Sequence, residues 1–201
     1  MTGVQTCALP ISLVRSAITR HRIEAGWEIP GRDSHIVAFM GGTDPSDMMA
    51  SVAESIASAL PGLRFTAVTT PSQVDRVTAA TTGMPNATVL GPSPDLPDLL
   101  GTADAVVSAA GTSAWDVCSM GRPVVLVGVV DNQSAGLVRA LERGVATGVD
   151  ATLHGAKSVG GILTDLLDDV TLRESLVRRA NETFDGQGGR RVAQALTADV
   201  R

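Results

Sequence analysis

Three turns in this chain carry residues suited to holding a phosphate. The first is FMGGTDPSD (39–47), where an apolar run gives way to a helical pattern. Gly41 and Gly42 have no side chain, so a phosphate can approach their backbone N–H groups, and the helix that follows adds the positive end of its dipole. A purely structural reading competes: Asp44 is a natural N-cap, Pro45 suits the first helical position and Asp47 complements the dipole. The second turn is SAAGTSAWDVCSMG (108–121). Gly111 leaves an approach to a helix N-terminus, and Thr112 and Ser113 offer hydroxyls for a phosphate or a ribose. Asp116 sits one turn further in, where a carboxylate can accept from two vicinal ribose hydroxyls. Here too a capping reading competes, with Ser113 as cap, Asp116 completing a variant capping box and Trp115 serving only to pack. The third turn is VVDNQSAG (129–136), in which Asp131, Asn132 and Gln133 follow another apolar run. An N-cap and a plain turn explain Asp131 and Asn132 equally well.

The elements that must position these turns can be read from periodicity. Strands are expected at 35–40, 63–70, 87–92, 104–111, 122–130 and 145–150. Helices are expected at 45–60, 72–83, 95–103, 112–121 and 134–144, and the remainder is helical with a break at DGQGG (185–189). Met48, Met49, Val52, Ile56 and Leu60 share roughly one face of the 45–60 helix. Strands that are continuous apolar runs and alternate with helices imply an α/β fold, a Rossmann-like parallel sheet with helices on both faces. In such a sheet ligands bind outside the carboxyl ends of the strands, and all three turns fall on that edge. Upstream, SLVRSAITRHRIEA (12–25) reads as a short basic amphipathic helix, expected to be loosely held, and GWEIPGRDS (26–34) as a linker.

Composition narrows the function. The chain has 201 residues, enough for one large domain or two small ones, and 44% hydrophobic residues are enough for a packed core. A net charge of −5 argues against a nucleic-acid partner. No apolar run is long enough to cross a bilayer as a helix. Two cysteines, Cys7 and Cys118, make neither a disulfide framework nor a zinc pattern, so a reducing cytoplasm is expected. Cys118 reads as a buried small residue. His21, His35 and His154 lie far apart with no ligand spacing, so no metal site is expected, and His35 and His154 are given surface roles. Lys157 is the one lysine. There is no GxxxxGK[ST] motif, and no cofactor is expected.

GGTDP (41–45), AAGTSAWDVCSMGRPVVLVGVVDNQ (109–133) and FDGQGGRRVAQAL (184–196) together resemble the carboxyl-terminal half of the UDP-sugar hydrolases of pseudaminic acid biosynthesis, relatives of spore-coat polysaccharide proteins. The resemblance covers about residues 12–201 and implies the carboxyl-terminal domain of a glycosyltransferase-B fold. It also implies a partner, UDP or a UDP-linked amino sugar. Gly41, Gly42 and Thr43 would line the diphosphate side, and Gly111, Thr112 and Ser113 would meet phosphate. Asp116 would hold the ribose, and Asn132 and Gln133 would lie near the sugar or phosphate. Two positions depart from the pattern: Asp116 stands where the family has glutamate, and Ala110-Gly111 where it has paired glycine.

The family's GxGHxxR-type motif, whose histidine is assigned to activating water, matches none of His21, His35 and His154, so no catalytic residue is assigned. MTGVQTCALPI (1–11) resembles a translated sequencing-library adapter. The expectation is therefore a non-native 1–11, an interdomain helix and linker at 12–34, and a UDP-binding domain at 35–201, with an amino-terminal catalytic domain belonging upstream. Two alternatives stand beside hydrolysis: a UDP-sugar glycosyltransferase, and a non-catalytic nucleotide-binding domain.

Overall fold

The computed structural model describes residues 14–23, 31–42, 44 and 47–198. The expectations for residues 1–11, and the roles of Thr43 and Pro45, lie outside the described residues. Six segments of the described residues form strands, all but β6 mainly apolar: β1 (His35–Phe39), β2 (Arg64–Val68), β3 (Ala87–Leu90), β4 (Ala105–Ala109), β5 (Val124–Gly128) and β6 (Thr147–Asp150). They make one sheet in the order β3-β2-β1-β4-β5-β6, with every pairing parallel. Val37 lies between Thr66 of β2 and Val106 of β4, which fixes the central register. All residues of β1, β4 and β5 are buried, as strands covered on both faces must be, whereas edge strand β3 alternates between half-buried and exposed.

The described residues also form ten α-helices: α1 (Ser16–Thr19), α2 (Met48–Ala59), α3 (Val74–Ala80), α4 (Leu96–Gly101), α5 (Ser113–Cys118), α6 (Ser134–Glu142), α7 (Ala151–His154), α8 (Val159–Asp168), α9 (Val170–Thr183) and α10 (Gly188–Ala198). Alternation along β1 divides the core. Ile36 and Ala38 point to the face covered by α2, α3 and α8, through Met49, Ile56, Val77 and Leu163. Val37 and Phe39 point to the face covered by α1, α4, α5 and α6, through Ile18, Leu100, Val117 and Leu137. Helix α9 spans both, with Leu176 in one cluster and Ala180 in the other.

Helix α2 begins at Met48, later than residue 45. The Asp44 carboxylate still caps it, accepting the N–H of Met48 at 3.0 Å and of Met49 at 2.9 Å. Four of the five residues expected on its inner face are buried, and Met48 is partly so. Helix α8 takes its cap from another helix: the Ser55 hydroxyl of α2 accepts the Gly160 N–H at 2.9 Å and donates to the Lys157 carbonyl at 2.8 Å. The two helices pass so closely at Gly160 that a Cβ there would overlap the Ser55 carbonyl.

The segment 14–23 corrects the sequence expectation twice. Only Ser16–Thr19 is helical, and the segment is firmly held. Ile18 is fully buried, and the Ile23 N–H donates to the Met120 carbonyl at 2.8 Å. Arg22 donates to the carbonyls of Ser119, Asn181 and Phe184. Arg122, buried beneath the segment, donates to His21, Gly101 and Ala103 carbonyls, and burial lowers its pKa to about 10. Tertiary acceptors claim the backbone at both ends, so the helix stops after one turn. His35 is a further correction. It is buried, not at the surface, and its ring nitrogens meet Thr66 Oγ1 at 2.9 Å and the Thr102 carbonyl at 3.2 Å.

Candidate functional site

The strand order reverses between β1 and β4. From β1 the chain runs outward to β2 and β3, and then returns to the other side of β1 as β4. Crossovers leave such a point in opposite directions and open a crevice at the carboxyl ends of the two strands. A cleft of about 310 Å³ lies there. Gly41 and Gly42 border it from the β1 turn, Gly111, Thr112 and Ser113 from the β4 turn, and Asn132 and Gln133 from the β5 turn. Seven of the nine sequence-predicted residues therefore stand around one space.

Each turn contributes differently. Gly41 has φ +84°, in the region that glycine adopts and bulkier residues resist. A Cβ added at Gly41 or Gly42 would meet nothing within 4 Å, so both face open space. The end of α2 contributes less than the sequence suggests, because Asp44 already occupies its first N–H groups. Helix α5 is different. It has no side-chain cap at Thr112; its Ala114 and Trp115 N–H groups turn back onto the Gly111 and Thr112 carbonyls at 3.0 and 3.3 Å, so among the described contacts only those of Thr112 and Ser113 remain open to a ligand. In the third turn, a single 3-10 turn at Asp131–Gln133, the Gln133 Oε1 accepts the Val129 N–H at 3.1 Å. This fixes the amide so that its Nε2 lies beside Gly111.

Two predicted residues are placed otherwise. Thr43 lies outside the described residues. Asp116 is buried in α5 and does not line the cleft. Its carboxylate accepts the Arg15 backbone N–H at 3.2 Å and the Arg15 Nε at 2.9 Å. Sequence reasoning missed Ser108 and Met40, which also line the space. Ser108 had a signal: it is a fully buried hydroxyl in an otherwise apolar strand, one turn short of Gly111. Met40, at the end of an apolar run, had none.

No ionisable side chain is among the described residues lining the cleft. An anion placed there would meet backbone N–H groups, the hydroxyls of Thr112 and Ser113 and the amides of Asn132 and Gln133. The apolar walls of Val129 and Val130 would exclude water on one side. Trp115, two residues after Ser113, does not line the cleft and stacks on Phe184 with ring centroids 5.8 Å apart. Cys118 is fully buried and its thiol is pushed up to about 12 by desolvation, so it is no nucleophile.

No protein-family model and no curated protein matches the chain. Solved structures do. MurG of Acinetobacter baumannii matches with a TM-score of 0.71 and 15% identity, over 90% of this chain and 53% of its own. UDP-GlcNAc 2-epimerase of Neisseria meningitidis, bound to UDP-GlcNAc, matches at 0.65 and 15%, over 83% and 45%. HepE of Anabaena, in complex with UDP and glucose, matches at 0.60 and 16%, over 94% and 55%. The chain has the fold of a glycosyltransferase-B domain. It spans about half the length of these proteins.

Proposed function

We propose that this chain binds the nucleoside diphosphate part of a UDP-sugar in the cleft between β1 and β4. One observation carries the reading: turns as far apart in the chain as Gly41 and Gln133, each bearing glycine or an amide, border one space with no charge among its described lining residues, at the switch point. An uncharged cleft rich in backbone N–H groups suits a diphosphate, whose charge is met by fixed dipoles. Two of the similar structures hold UDP or a UDP-sugar, which supports the choice of nucleotide.

The reaction rests on the resemblance of GGTDP, AAGTSAWDVCSMG and DNQ. It is hydrolysis of a UDP-linked diacetamido-trideoxy sugar in the synthesis of pseudaminic-acid-type surface glycans. Water would form a bond to the anomeric carbon as the bond to the diphosphate oxygen breaks, with the electron pair leaving on the diphosphate. The N–H groups at the start of α5 and at Gly41 and Gly42 would stabilise that charge. Transfer of the sugar to an acceptor is a second reading, supported by the likeness to MurG and to the glycotransferase of kitacinnamycin. Either reaction needs a proton acceptor. His21 is engaged with Asp98, and His35 opens β1 at the opposite edge of the sheet from the cleft. We assign the base to an amino-terminal domain, and the activity to the cytoplasm, in keeping with the sparse cysteines.

Calorimetric titration with UDP, followed by chromatography of UDP-GlcNAc incubated with the chain, tests this. Saturable UDP binding that is lost on blocking Gly42, without turnover, is expected. Absence of saturable binding, or binding indifferent to Gly42 and Gln133, would remove the proposal.

A further inference from the structure

Most of the described arginines of this acidic chain are already engaged by neighbours. Among the described residues Arg15, Arg20, Arg32, Arg64, Arg76 and Arg191 each pair with an aspartate. Arg22, Arg122 and Arg173 are spent on backbone carbonyls. Arg190 donates to the Gln187 amide, Arg139 stands alone on α6 among the described contacts, and Arg143, Arg178 and Arg179 do neither in full. They line a shared open groove of about 560 Å³, together with Glu182 and Thr183. The groove lies between the end of α6 and the last turns of α9. Arg143 and Gly144 immediately precede the chain's entry into β6, so it sits at the amino edge of the sheet, away from the nucleotide cleft.

The cluster is held together by backbone. Arg179 Nη1 donates to the Arg143 carbonyl at 3.4 Å, and its guanidinium lies over Gly144, where an added Cβ would come within 2.9 Å. The negative ends of α6 and α9 make cations welcome here. They do not account for three cations that share a groove with one carboxylate. Glu182 follows Arg178 by four positions, the less favourable order for a helical ion pair, and the two do not pair among the described contacts. Grouped, unpaired guanidinium forks match the geometry and charge of phosphate oxygens better than a lone carboxylate does.

We propose that this groove is a second anion site, which takes a phosphate-bearing group with more than one negative charge through Arg143, Arg178 and Arg179. The group can come from a free phosphate compound or from an anionic lipid headgroup. Amide NMR shifts of the whole chain, titrated with inorganic pyrophosphate, separate this groove from the nucleotide cleft: Gly144 and Thr183 report on one, Gly42 and Gly111 on the other. Flotation with phosphatidylcholine vesicles, with and without phosphatidylglycerol, gives the lipid arm. The three arginines are exposed, so the triple variant Arg143→Gln, Arg178→Gln, Arg179→Gln should keep its circular dichroism and thermal midpoint.

Saturable shifts at Gly144 and Thr183 are expected, weakened by salt and roughly two- to fivefold for each arginine removed. If only phosphatidylglycerol vesicles bind, and the triple variant loses them, the headgroup is the source. If neither probe binds, or both bind the triple variant equally well, the proposal is overturned.

Discussion

Arg15 grips Asp116 at two points, giving its backbone N–H to Oδ1 and its Nε to Oδ2, across 101 residues of chain. The carboxylate is buried while the arginine is about half exposed. The aspartate therefore acts first as an anchor for the segment 14–23.

Asp116→Ala removes the acceptor of both bonds. A loss of about 1–3 kcal/mol is expected, read from urea denaturation. Because Asp116 does not line the cleft, its removal should not change the ratio of UDP affinity to pyrophosphate affinity. A fall in that ratio, measured by calorimetry, would give the ribose role back to Asp116.

At the β1 turn the two glycines should respond differently. A Cβ at Gly42 enters open space, so Gly42→Leu should leave the thermal midpoint unchanged and lower UDP affinity at least tenfold by filling the cleft. Gly41→Ala must hold a side chain at φ +84°, at a cost of about 1–2 kcal/mol. A Gly42→Leu variant with wild-type affinity would show that the ligand lies elsewhere.

Adjacent glycines of α8 give a sharper contrast. Gly160→Ala forces a methyl into the Ser55 carbonyl and should destabilise the chain by about 1–3 kcal/mol, because α2 and α8 must separate. Gly161→Ala meets nothing within 4 Å, and should add about 0.5–1 kcal/mol through helix propensity. Thermal unfolding should show midpoints moving in opposite directions, by about 2–4 °C per kcal/mol.

Acid should weaken the fold in two stages. Burial holds the His35 imidazole below its ordinary value of 6.5, despite the Thr102 carbonyl. The unfolded chain then binds the proton more readily, so stability is complete above about pH 6.5 and erodes as pH falls from there. His35→Gln should flatten that part of the profile. The hydrogen bond from Arg191 holds Asp185 at about 2. Its contribution is present above the unfolded value of about 4 and is lost as pH falls through about 2. Arg191→Gln should remove this second stage, as measured by urea midpoints across the range.

Local signals made most of the architecture readable. Buried parallel strands are written as unbroken apolar runs such as HIVAF and VVLVG, and glycine at a strand's end marks where a turn must admit something. That is why three glycines and the polar residues beside them could be expected at one edge of the sheet, where seven of the predicted residues line one cleft. What escaped was set by distant partners. The fate of Asp116 depends on Arg15, and His35 is buried because Thr66 and Thr102 satisfy both ring nitrogens. The short α1 depends on Asp116 and Met120. No window of neighbouring residues contains those pairings.

The segment 14–23 also sets an order of events during synthesis. Arg22 waits for the Phe184 carbonyl, 162 residues later, which at typical elongation rates is roughly 8–30 s. Until then Ile18 has only part of its pocket, because Ala180 and Phe184 belong to the same buried cluster. The earliest described residues to leave a ribosome thus complete their contacts only when nearly all the described chain has followed them.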